Sequence, residues 1–78
     1  MNATLPTPDE AALLGERWPH EWRDGARCAF LRRFDGDREP GGYPLGFQQW
    51  PLDRRNAWFA GFNVGLCDRM RLLQEEAR

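Results

Sequence analysis

Few side chains in this sequence are of a type that does chemistry. They are His20, Cys28, Cys67 and the carboxylates of Asp35-x-Asp37-x-Glu39. Nucleophilic catalysis needs a Ser, Cys, Thr or Lys activated by a neighbouring base. The chain has no Ser and no Lys, and its single histidine stands eight positions before Cys28. A thiol in that setting is read as a packed small hydrophobe, and the same reading is given to Cys67. His20, Cys28 and Cys67 have no zinc-ligand spacing among them. The 35–39 segment resembles the opening of a calcium loop, but the central glycine and the terminal bidentate Glu are not where that loop needs them. No glycine-rich phosphate loop precedes a helix. These residues predict a protein that is not an enzyme and carries no metal and no cofactor.

The remaining polar chemistry is recognition. All eleven cations are arginine, which forks to carboxylates and phosphates and stacks on rings. Four Trp, five Phe and one Tyr give a 78-residue chain a large aromatic share. Tyr43, Phe47 and Trp50 lie in a proline-punctuated stretch where no helical period explains them. Either they fold back as a lid over the core, or they present rings to a partner. With Arg32, Arg33, Arg54 and Arg55 they form the candidate binding surface. The acidic group Asp35, Asp37 and Glu39 is the alternative, a mimic of phosphate. Net charge is −1, so no global field draws the chain onto nucleic acid. The charge is segregated, however, with +3 over residues 17–34 and −3 over residues 35–53. The Arg17–Arg33 stripe is the candidate for direct nucleic-acid contact.

The elements that must position these residues read as helices. The only β-branched residues are Thr4, Thr7 and Val64, which disfavours a sheet. The expected fold is a small, single, mainly α domain of two to three helices, with a long Gly/Pro loop before the last and longest helix. Residues 1–6 read as a disordered leader. Thr7-Pro8-Asp9-Glu10 is a helix start, with Thr7 as cap and Pro8 at the first turn. Leu13 and Leu14 are expected inward, and Pro19 ends that helix.

A second helix is expected from Pro19 to about Phe34, with Trp22, Ala26, Ala29 and Phe30 on one face. Gly25 divides it in this reading, and Asp24 caps the second part. The rival reading makes Ala29–Phe34 a strand, which adjacent Arg32 and Arg33 argue against. Residues 35–52 are a loop. Residues 53–76 form the last helix, capped by Asp53, with Phe59, Phe62, Leu66, Met70 and Leu73 as its core face. Gly61 and Gly65 sit beside Trp58. Each costs a helix interior about 1 kcal/mol relative to Ala, and such a pair is useful where another backbone approaches closely.

The string Arg55-x-x-Trp58-x-x-Gly61-Phe62-x-x-Gly65 resembles the second helix of the ribosome modulation factor family and its short phage and plasmid relatives. In that resemblance Gly25-Ala-Arg-Cys-Ala29-Phe30 plays the first helix and Trp50-Pro51-Leu52 the turn. It implies two helices packed through Trp58, Gly61 and Phe62, and it brings ribosome binding as the family's activity. This chain departs from the ribosome-binding members in being slightly acidic and in adding an N-terminal helix.

The functional expectation is a small cytoplasmic protein that inhibits or modulates a larger protein or nucleoprotein assembly. Phage-encoded inhibitors such as anti-CRISPRs are the type, acting in the host cytoplasm. One alternative is an RNA- or ribosome-binding modulator, and another is a homodimer through the last helix. No membrane span or signal peptide is legible.

Overall fold

The computed structural model describes residues 7–77, so the leader expected over residues 1–6 lies outside them. It is mainly helical, with α1 at Pro8–Arg17, α2 at Pro19–Leu31 and α3 at Leu52–Glu76. Thr7 caps α1 through its hydroxyl, which accepts from the Glu10 N–H at 3.2 Å. Pro19 then separates α1 from α2. The intervening Trp18 closes α1 by donating its N–H to the Leu14 carbonyl at 2.8 Å.

α2 and α3 run parallel. Glu21 meets Arg54 near their starts, Asp24 meets Trp58 further on, and Phe30 meets Arg69 near the end of α2. Parallel neighbours need a return connection as long as the helix it crosses, about 20 Å for thirteen residues. The long Gly/Pro loop supplies it. Within the loop Glu39 donates its N–H to Tyr43 O at 2.8 Å and Gly42 to Glu39 O at 3.0 Å, a tight reversal passing through Gly41 and Gly42 at φ 91° and 90°. A 3-10 turn at Phe47–Gln49 follows, so the stretch expected to be irregular contains an element of its own.

The α2–α3 seam is built on glycine. A Cβ on Gly25 would strike the Trp58 carbonyl and stand 2.9 Å from the Phe62 nitrogen. One on Gly61 would strike the Trp22 carbonyl, and one on Gly65 the Ala26 carbonyl. Backbone lies against backbone at three points. Cys28 and Ala29 on α2 and Ala57, Trp58 and Ala60 on α3 are buried around it. Gly25 does not divide α2; it is buried mid-helix, at one of the three points where α3 approaches closely.

Several expectations are corrected. α2 stops at Leu31, and Arg32 takes the left-handed conformation at φ 56°, which ends the helix short of Phe34. Asp24 is not a cap. Asp53 is not the N-cap of α3 either; Pro51 occupies that position, and Asp53 lies inside the first turn. Leu13 points outward, as does Cys67. The expected core stripe of α3 is largely misassigned. Phe59, Met70 and Leu73 are 43 %, 60 % and 49 % exposed, because the helix buries its alanine, glycine and Trp58 face instead. Small residues carry little hydrophobic signal, and close backbone approach outweighs it.

Candidate interaction surface

The loop aromatics pack onto the fold. Phe47 is 3 % exposed, its ring 5.0 Å from Tyr43, 5.6 Å from Trp58 and 5.4 Å from Phe59. Tyr43 leans on Trp58 and Phe59 at 5.6 and 6.0 Å. Trp50 meets Phe47 at 5.4 Å and carries the Arg54 guanidinium 3.8 Å from its ring centroid. Arg54 is further held by Glu21, its Nε donating to Oε2 at 2.7 Å, and lies 5.6 Å from the Trp18 ring. Asp53 accepts from the Trp18 indole at 3.2 Å and pairs with Arg17 at 3.3 Å. The start of α3 is thus pinned to the α1–α2 junction. Of the two readings of the rings, the lid describes Tyr43 and Phe47.

Asp24 anchors that lid. Both its oxygens accept from Arg38, at 2.8 Å each, and Oδ2 also accepts from the Trp58 indole at 2.9 Å. Arg38 is fixed at its other edge by the Asp35 carbonyl, with Nε donating at 2.9 Å. The Arg38 guanidinium above all, then the Trp58 N–H, holds the Asp24 carboxyl below the usual carboxylate value despite its burial. The same partner raises Arg38. Burial, then the Asp24 charge, pushes the Cys28 thiol up, away from thiolate character. A general base near neutrality needs a raised carboxyl, and Asp24 is shifted the other way.

The remaining candidates are dispersed. Arg32 and Arg33 are exposed at the end of α2, and Arg33 reaches Asp35 at 3.4 Å. Arg27 meets the same carboxylate at 3.1 Å. Asp37 is exposed, while Glu39 is half-buried in the reversal. Arg55 is half-buried on α3, and its Nε is enclosed without a partner. Trp58, Gly61, Phe62 and Gly65 serve packing, with the Phe62 ring stacked 5.2 Å from Trp58.

The side of α2 turned away from α3 carries exposed Arg23 and Arg27, one turn apart, and continues into Arg32 and Arg33. Neighbours at this spacing stand roughly 6 Å apart at Cβ. Asp35 is the carboxylate paired with this group, through Arg27 and Arg33; Arg23 and Arg32 form no ion pair among the described residues. Arg23 and Arg27 belong to the stripe expected from charge segregation, and the buried Gly25, Cys28 and Ala29 face of α2 is what turns them outward.

A second exposed region is mixed in character. Leu13 and Leu52, each 64 % exposed, border a groove of about 600 Å³ between α1 and the start of α3, together with Leu14 and the polar Glu10, Arg17, Asp53 and Asn56. No run of sequence announces it, because the two leucines come from different helices. Among the described residues no group of three or more His, Cys, Asp or Glu side chains converges to hold a metal ion. No helix of the described residues is long and apolar enough to cross a membrane. No protein-family model, no curated protein and no solved structure matches the chain.

Proposed function

We propose that this chain is a non-catalytic binding protein that modulates a nucleoprotein assembly, gripping the assembly's phosphate backbone with the outer face of α2. The observation that carries the reading is the row Arg23, Arg27, Arg32 and Arg33, exposed on one rigid helix and its cap with Asp35 as its paired counter-charge. Arginines one helical turn apart suit successive phosphates of one strand, and the guanidinium fork suits each phosphate singly. The overall charge of −1 includes carboxylates engaged away from this row, with Asp35 the one paired on it. Asp24 and Glu21 face Arg38 and Arg54, and Asp53 faces Arg17. Rigidity favours the reading too, because the glycine seam fixes α2 on α3 and little ordering remains to be done on binding.

A second reading, inhibition of a protein surface in the manner of anti-CRISPRs, draws on the Leu13 and Leu52 groove, where two exposed leucines stand among Glu10, Arg17, Asp53 and Asn56. Capture from a bacterial lysate separates the two. The tagged chain and its Arg23→Glu/Arg27→Glu variant are compared with and without nuclease. Recovery of a nucleoprotein complex that the variant loses supports the first reading. A complex that survives nuclease and the variant but is lost in Leu13→Asp/Leu52→Asp supports the second.

A further inference from the structure

The side of α3 turned away from α2 has the pattern of a helix-pairing seam; at its start the lid rings of Tyr43 and Phe47 touch one edge of Phe59 and leave the rest of that ring exposed. Phe59, Asn63, Leu66, Met70 and Leu73 recur at alternating intervals of four and three, which places them along one line. Asn63, Phe59, Met70 and Leu73 are exposed and Leu66 is half-buried. α2 covers a different side of α3, the one carrying Gly61 and Gly65. Beyond Arg69, whose Nη1 donates to the Phe30 carbonyl at 2.6 Å, α3 continues past the end of α2. An apolar line of this spacing is the kind along which helices pair.

We infer that this seam is covered by a second copy of the chain, with the two α3 helices antiparallel and Phe59 packed against Met70 of the second copy. Charge selects both the occupant and the register. The residues flanking one edge of the seam at heptad spacing are Arg55, Phe62, Arg69 and Glu76. With Phe59 opposite Met70 and Asn63 opposite Leu66, the two-fold axis brings Arg55 beside Glu76 of the second copy, twice per dimer. Sliding one heptad in either direction sets Arg69 against Arg69 or against Arg55, like charges in both cases. Within the chain neither Arg55 nor Glu76 has an ion pair among the described residues. A contact of this length falls at the low end of interface sizes, below roughly 1,200 Å² in total, which fits a reversible dimer. The pairing is independent of the reading given to the α2 arginines and leaves their face open.

Sedimentation velocity of the full chain from micromolar to near-millimolar concentration tests this, with thermal melts at low concentration confirming that each variant folds. The wild type is expected to pass from monomer to dimer. Met70→Glu, at an exposed position, is expected to weaken the dimer about a hundredfold by placing a charge in the seam. Glu76→Arg is expected to weaken it about tenfold, and adding Arg55→Glu to restore it. A wild type that stays monomeric throughout, leaving the seam to some other partner, overturns the inference. So does a dimer indifferent to Met70→Glu. A dimer lost in Met70→Glu but indifferent to Glu76→Arg overturns the register and the pairing of Arg55 with Glu76.

Discussion

The indole N–H of Trp58 donates to Asp24 at 2.9 Å, and the same carboxylate receives the Arg38 fork, so one side chain ties α2, α3 and the loop together. Arg38 is only 12 % exposed, and its partner is mostly covered. Removing one member of such a pair strands the other without water to replace it. Asp24→Ala is therefore expected to cost roughly 3 kcal/mol in chemical denaturation. Trp58→Phe, which deletes the donor and part of the ring, should cost about 2 kcal/mol. An Asp24→Ala variant as stable as the wild type would remove the carboxylate from this role.

The same contact makes stability depend on pH. The Asp24 carboxyl is held below its ordinary value by Arg38 and Trp58, so its folded-state pKa is lower than in the unfolded chain. The stabilisation is present in full above the unfolded value, near 3.8, and is lost as pH falls through the folded one. Thermal melts from neutral pH into the acid range should show a loss of stability below about pH 4 that Asp24→Asn reduces.

The glycines of the seam give a test by contrast. Gly61→Ala and Gly65→Ala each add a methyl where a backbone carbonyl already lies, and backbone cannot step aside. Each should lose roughly 2–4 kcal/mol although alanine is the better helix former. Gly15→Ala meets only the Trp22 ring, at 3.1 Å, and that ring is half-buried and lines an open groove beside α1. Its expected change is within about 1 kcal/mol of zero, since helix propensity offsets the crowding. Urea denaturation of the three variants distinguishes the sites.

How much of this was legible in the sequence differs by residue. Thr7-Pro8 and Pro19 marked helix boundaries because capping and proline geometry are local. Gly61 and Gly65 announced a close approach because two glycines in a helix need a reason. The core face of α3 was misread, since alanine and glycine score low on hydrophobicity although contact with α2 and α1 buries them. The Asp24–Arg38 contact spans fourteen residues across a loop, and nothing local in either residue announces it. For the binding surface, spacing could not tell the lid reading of Tyr43 and Phe47 from the exposed one. Charge segregation did point to the stretch holding Arg23 and Arg27.

Arg32 ends α2 in the left-handed conformation at φ 56°, where a Cβ is unfavourable and glycine is at ease. Arg32→Gly is expected to raise stability by about 0.5–1 kcal/mol while removing one outward cation. A higher melting temperature together with weaker binding to RNA would separate the structural cost of this arginine from its use on the surface.

The most direct measurement on the outer face of α2 is the salt dependence of binding to double-stranded RNA, followed by fluorescence anisotropy. Phosphate contacts made by Arg23, Arg27, Arg32 and Arg33 predict an affinity that falls steeply, with a log–log slope of about −3 to −4. Arg23→Glu/Arg27→Glu should lower both the affinity and the slope. Binding that is absent at low salt, or that keeps its slope in the variant, contradicts the account.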